Sequence, residues 1–215
     1  MSPAADRLTM SDLACLRGER IVFAGLGLRV PAGGAVLLTG PNGSGKSTLL
    51  RLLAGLLAPI RGTVAWDGEP VAEAPDRHRA RVAYVGHLDA VKPAMTVRES
   101  VAFWGGLSAG AVAEAAVDAA LRAMDIVHLA DVPGRLLSAG QKRRTNLARL
   151  FAAARPLWLL DEPTVALDRA SVGRLEAGIA AHRAAGGVVL ASTHAPIDMP
   201  GADTLRMGSF AVEAD

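Results

Sequence analysis

Val36-Leu37-Leu38-Thr39-Gly40-Pro41-Asn42-Gly43-Ser44-Gly45-Lys46-Ser47 decides the fold. Four apolar or β-branched residues read as a buried strand. The next eight fit the spacing G-x-x-x-x-G-K-[ST], and a helical pattern follows from Lys46 to Leu57. The chemistry explains the spacing. Glycines let successive backbone N–H groups curl around phosphate oxygens with no Cβ in the way. The helix that follows points the positive end of its dipole at the same anion. Lys46 can reach between the outer phosphates, and the Ser47 hydroxyl can face Mg²⁺. Gly40, Pro41, Asn42, Gly43, Ser44, Gly45, Lys46, Ser47 and Thr48 are therefore candidate nucleotide contacts.

Working outward, Thr63–Trp66 reads as a strand that ends at the Asp67-Gly68 turn, and Val82–Val85 as another. Leu157–Leu160 and Val188–Ala191 are short continuous apolar runs of the kind found in buried parallel strands. Ala170–Ala185 reads as a helix between them. The pattern is α/β. From Thr96 to about Val132 the character changes to helices with no convincing strand. Thr96-Val97-Arg98-Glu99 is a capping box that starts a helix at Val97. Ala111–Met124 is amphipathic, with Val117, Leu121 and Met124 on one face. The expected organisation is one domain: a core from 1–95 and 136–215, with a helical subdomain inserted over 96–135.

Composition narrows the setting. Of 23 basic residues only Lys46, Lys92 and Lys142 are lysines, so a surviving lysine is a place to look for a compact point charge. A net charge of +2 gives no basic surplus for gripping nucleic acid, and no nucleic-acid partner is expected. Cys15 is the single cysteine, which excludes an intrachain disulfide and suggests a reducing compartment. It is expected to be a small buried apolar residue. Met1–Arg7 lacks an apolar signal-peptide core. Thr48–Ile60, the most apolar stretch, is too short to span a bilayer. Any membrane role is expected to come through a partner.

Trp158-Leu159-Leu160-Asp161-Glu162 places two acids at a strand end, where an α/β sheet presents ligands. Asp161 can hold Mg²⁺ through its water shell. Glu162 can orient or deprotonate a water for in-line attack on a phosphate. His194, just past the Val188–Ala191 strand, can contact the terminal phosphate. Lys142-Arg143-Arg144 reads as a solvated charge run, with support for the bound phosphates or a subunit contact as the alternative.

With Leu137-Ser138-Ala139-Gly140-Gln141 placed between the helical insert and the Asp161-Glu162 strand, the chain resembles an ABC-type ATPase cassette. The segment looks like that family's signature, usually Leu-Ser-Gly-Gly-Gln. It stands before a helix from about Gln141 to Ala154. The resemblance implies a P-loop NTPase fold, with a mixed sheet core and an inserted helical subdomain, that binds ATP and Mg²⁺. It also implies a dimer of two copies that sandwich nucleotide, with Ser138, Gly140 and Gln141 completing the partner's site. Asp168, in Ala166-Leu167-Asp168, resembles the loop that links the two sites. Membrane-spanning transporter subunits are the implied partners. The implied location is peripheral, on the cytoplasmic face of the inner membrane.

The resemblance extends to a subgroup, the ATP-binding subunits of cytochrome c biogenesis haem exporters. It rests on Ala139 in the signature, Trp66-Asp67-Gly68-Glu69-Pro70, Tyr84-Val85-Gly86-His87 and Gly186-Gly187-Val188-Val189. What it implies is release of a haem-loaded chaperone on the periplasmic side; the alternative is a cassette for another transported substrate. Two positions depart from the wider family. His87 stands where a glutamine usually touches the metal and relays to the membrane subunit. Arg17 falls by spacing where an aromatic residue usually stacks on adenine. Its guanidinium plane can stack on a base, and a solvated arginine is the alternative.

Overall fold

The computed structural model describes residues 6–107 and 110–211. The strands form two sheets. The first is antiparallel, in the order β2-β1-β4-β5, from β1 (Asp6–Arg17), β2 (Arg20–Pro31), β4 (Arg61–Trp66) and β5 (Glu69–Pro70). The second has the order β6-β7-β8-β3-β9, every pair parallel. It contains β3 (Ala35–Thr39), β6 (Val82–Val85), β7 (Leu157–Asp161), β8 (Val188–Ser192) and β9 (Asp203–Arg206).

Continuous apolar runs make strands buried on both faces, and β7 demonstrates it. Leu157 and Leu159 enter the core shared with the antiparallel sheet and helix α1 (Lys46–Leu53). Trp158 and Leu160, pointing the other way by the two-residue period, pack with the remaining helices. These are α3 (Val97–Gly106), α4 (Glu114–Ala123), α5 (Ala139–Ala152) and α6 (Arg169–Ala184); a short α2 (Pro75–Arg81) precedes β6. Because β7 and β8 are in register at Asp161↔Ser192, their ends lie side by side, and β3 delivers the phosphate loop next to them.

Local rules account for most element ends. The capping box at Thr96 is formed: the Glu99 N–H donates to Thr96 Oγ1 at 3.1 Å and the Thr96 N–H to Glu99 Oε2 at 2.8 Å. Val117, Leu121 and Met124 are all buried, as their spacing predicts, although α4 starts three residues later than Ala111. Helix α1 ends at Leu53, four residues before Leu57. Gly55 takes φ +71, and the Leu56 and Gly55 N–H groups turn back to Arg51 and Leu52 carbonyls at 2.9 and 3.0 Å. That reversal satisfies the last carbonyls and stops the helix. Helix α5 starts two residues earlier than Gln141, because Ser138 is its N-cap.

Cys15 is buried, as expected, and burial pushes its thiol pKa up, away from reactivity. Two histidines carry a pH dependence. His78 is buried, with Nε2 2.7 Å from the Leu53 carbonyl, and the ring of His182 stacks on Trp158 with centroids 4.1 Å apart. In both, burial holds the pKa below its ordinary 6.5. The unfolded chain therefore takes up these protons first as pH falls. Stability should be complete above pH 6.5 and decline from there through the lower folded values. Thermal melting at pH 7.5 and pH 5.5 checks this. The melting temperature should drop on the acid side, with a shallower drop in His182→Phe, which keeps an aromatic stack.

Candidate functional site

The phosphate loop is folded back on itself by its glycines and by Lys46. Gly40, Gly43 and Gly45 take φ of +138, +83 and +96, backbone conformations that L side chains rarely adopt. At Gly45 a Cβ would lie 2.8 Å from Val22 Cγ1 and 3.1 Å from Phe23 Cδ1. Glycine is required there by the antiparallel sheet as well as by the turn. Lys46 is 7% exposed, and its Nζ donates to the Gly40 and Pro41 carbonyls at 2.7 and 3.0 Å. The cation is thus held across the loop mouth, where phosphate oxygens can replace its carbonyl partners.

Asp161 is 1% exposed at the end of β7. Its Oδ1 accepts from Ser47 Oγ at 3.0 Å and from Ser192 Oγ at 2.7 Å, while its Oδ2 is shielded from solvent with no hydrogen-bond partner. A buried carboxylate oxygen without a donor is costly unless a cation faces it. Ser47 and Asp161 thus fit a Mg²⁺ ion that draws its remaining ligands from phosphate and water. No group of three or more His, Cys, Asp or Glu side chains placed to hold a metal occurs among the described residues.

Glu162 takes φ +51, which costs a non-glycine residue about 1–2 kcal/mol. The surroundings hold it there. Its N–H donates to the Ser192 carbonyl at 3.0 Å, and Oε2 accepts from the His194 N–H at 3.1 Å. The His194 ring, more than half exposed, places Nε2 3.0 Å from Asn42 Oδ1 and 3.6 Å from Glu162 Oε1. Strand ends and phosphate loop thus converge on one cleft of about 710 Å³. It is lined by residues that include Asn42, Gly43, Gly45, Lys46, Ser47, Thr48, Asp161, Glu162 and His194. Arg17 and His87, both exposed, line its rim, as does Arg20.

Ser138, Gly140, Gln141 and Asp168 lie outside this cleft. Ser138 and Gln141 form a reciprocal cap on α5: the Ser138 N–H donates to Gln141 Oε1 at 2.8 Å and the Gln141 N–H to Ser138 Oγ at 3.3 Å. The Ser138 hydroxyl proton stays available to a ligand. At Gly140 a Cβ would meet the Ala166 carbonyl at 2.9 Å, so the signature helix abuts the loop that leads to Asp168. Asp168 caps α6, and the Ser171 N–H at 2.7 Å holds its carboxyl below the usual carboxylate range.

One reading needs correction. Arg143, placed in a solvated charge run, is 2% exposed and turned into the core behind Asp161 and Glu162. The signal was helical spacing: Arg143, Leu147 and Leu150 lie at i, i+4 and i+7, on one buried face. Ser192, whose hydroxyl donates to Asp161, has no signal in the sequence, since serine at a strand end carries no distinctive pattern.

A phosphate loop, a buried aspartate followed by a glutamate at one strand end, a histidine at the next strand end and a capped helix set apart from them together match an ATP-binding cassette. The sequence model of the ABC transporter family matches residues 23–165. The chain is 60% identical to a cytochrome c biogenesis ATP-binding export protein CcmA of Paramagnetospirillum magneticum, over 94% of each chain. It is 62% identical to the protein of that name from Rhodospirillum rubrum, over 93% of this chain and 85% of the other. In fold it is similar to a putative ABC transporter ATP-binding protein from Pyrococcus furiosus. That similarity has a TM-score of 0.83 at 22% identity, covering 96% of this chain and 100% of the other. The chain belongs to the ABC transporter family, and within it to the cytochrome c biogenesis ATP-binding export proteins. It is an ABC-type ATPase.

Proposed function

We propose that this chain hydrolyses Mg-ATP as the motor subunit of an exporter serving cytochrome c biogenesis. The observation that carries the chemistry is the convergence of Lys46, Ser47, Asp161, Glu162 and His194 on one cleft. The loop N–H groups and Lys46 bind the phosphates and offset their charge. Ser47 and Asp161 would hold Mg²⁺, which would supply charge to polarise the phosphoryl oxygens. Glu162 orients a water and accepts its proton as the water oxygen bonds to the γ-phosphorus and the bond to the bridging oxygen of ADP breaks. His194 contacts the γ-phosphate. Positioning and charge neutralisation do most of the work in such a transfer. Arg17 and His87 line the same cleft; Arg17 would stack on the adenine, and His87 would hydrogen-bond water near the bound metal.

Residues 1–95 and 136–215 serve as the nucleotide-binding core and 96–135 as the helical subdomain. Ser138, Gly140 and Gln141 act on the nucleotide held by a second copy, and Asp168 links the two sites. What supports this arrangement is the signature's position outside the chain's own cleft. The membrane-spanning subunits dock in a second groove of about 700 Å³ that includes His87, Leu88, Trp104, Leu107 and Leu56. Leu88 is 82% exposed and Leu56 59% exposed, apolar surface suited to a partner. Attachment in this reading is peripheral, through those subunits, at the cytoplasmic face of the inner membrane; no helix among the described residues is long and apolar enough to cross a membrane. The export step is release of a haem-loaded chaperone on the periplasmic side.

The test is genetic complementation in the source organism. A deletion strain should lose haem-stained c-type cytochromes and regain them with the wild-type chain but not with Glu162→Gln. Normal c-type cytochromes in the deletion would refute the assignment to cytochrome c biogenesis.

A further inference from the structure

The guanidinium of Arg143 has five N–H donors, and the fold supplies an acceptor for each. Nε donates to the Pro163 carbonyl at 3.2 Å. Nη1 donates to the Gly86 carbonyl at 3.0 Å and to Asp89 Oδ1 at 3.2 Å. Nη2 donates to the Asp161 carbonyl at 3.1 Å and the Glu162 carbonyl at 2.5 Å. Four of the five acceptors are main-chain carbonyls. Three of those belong to Asp161-Glu162-Pro163, and the fourth is that of Gly86, next to His87.

Burying a full charge is unfavourable unless it is paired and hydrogen-bonded. Asp89, 3.2 Å away and partly exposed, supplies the pairing. The arrangement does more than solvate a cation. Glu162 sits at φ +51, and its carbonyl takes the shortest of the five bonds. Released from that bond, the peptide can relax towards ordinary backbone angles and carry the carboxylate away from the His194 N–H. Arg143 also stands on the first turns of α5, five residues after Ser138, so any shift of the signature end passes directly to this backbone.

We propose that Arg143 is a positioning residue for hydrolysis. It locks the Glu162 backbone in its strained conformation and couples the signature helix to the Glu162 and His87 segments. This rests on Glu162 being the group that activates water. Lysine cannot substitute, because one ammonium with three donors cannot span a planar set of five acceptors.

The experiment measures steady-state ATP hydrolysis and equilibrium ATP binding for the wild type and Arg143→Lys in the assembled transporter, with thermal melting of each. A misplacement of about 1 Å near reacting atoms costs on the order of a hundredfold. Arg143→Lys should therefore lose about 30- to 100-fold in kcat while ATP affinity stays within about threefold, since no phosphate contact changes. A merely structural role would shift melting and leave kcat per folded molecule intact. A folded Arg143→Lys with wild-type kcat would overturn the proposal. If Arg143→Lys does not fold, Asp89→Ala, which leaves four of the five bonds, must lower kcat with affinity unchanged, and an unaltered kcat there overturns it. A wild-type transporter without ATP turnover would instead refute the hydrolytic role itself.

Discussion

Replacing Glu162 by glutamine should cut ATP turnover about a thousandfold, within the range for loss of a general base, and leave ATP binding intact. The geometry separates the two effects. The main phosphate ligands are the loop amides and Lys46, which make no hydrogen bond with the Glu162 carboxylate; of the proposed phosphate contacts only His194 touches it. The carboxylate is held by the His194 N–H at 3.1 Å. A glutamine can keep that bond through its amide oxygen, so the segment stays in place. What it loses is the capacity to accept a proton. Single-turnover phosphate release, compared with nucleotide binding by calorimetry, checks the prediction. Turnover within threefold of wild type would remove Glu162 from its assigned role.

Lys46→Ala should fail one step earlier, in binding. Lys46 is the buried cation of the cleft, and its two loop carbonyls hold it where phosphate oxygens must come. Hydrogen bonds to charged groups contribute about 1.5–3 kcal/mol each, so loss of two implies about 3 kcal/mol or more, roughly a hundredfold or greater in Kd. Lys46→Arg should not restore it. A planar fork is too wide for the gap framed by the Gly40 and Pro41 carbonyls. Calorimetric titration with Mg-ATP provides the measurement, and an affinity within fivefold of wild type for Lys46→Ala would contradict the assignment. The survival of lysine here, in a chain with 20 arginines, has a physical reason.

The phosphate loop, Asp161-Glu162 and the signature were legible because each is a local pattern whose chemistry demands particular residue types at fixed spacing. The parallel strands β3, β6, β7 and β8 were legible for a similar reason, since burial on both faces writes a continuous apolar run. The hairpin of β1 and β2 was not read as strands. Its pairing shifts register four times and Asp12 takes φ +50, so the two-residue alternation that marks a half-buried strand is broken repeatedly. Arg143 was hidden by composition. In a chain rich in arginine, a Lys-Arg-Arg run suggests solvent, and only tertiary structure supplies five carbonyl and carboxylate partners. Arg149 and Arg155 behave alike. Arg149 donates to the Tyr84 carbonyl beneath Trp104, where burial first, then the charges of Arg143 and Arg155, lower its pKa to about 10. Arg155 donates to the Val82 carbonyl at 2.8 Å and to the Gly105 carbonyl at 3.3 Å. Both join the parallel sheet to α3. Part of the arginine excess is thus structural.

Because Ser138 lies outside the cleft, dimer formation is central to the proposed function, in which the signature of one copy completes the site of the other. Light scattering of purified Glu162→Gln with and without Mg-ATP tests it most directly. The mass should be that of one 22.2 kDa chain without nucleotide and double that with it. A single-chain mass at saturating Mg-ATP would contradict the shared-site account.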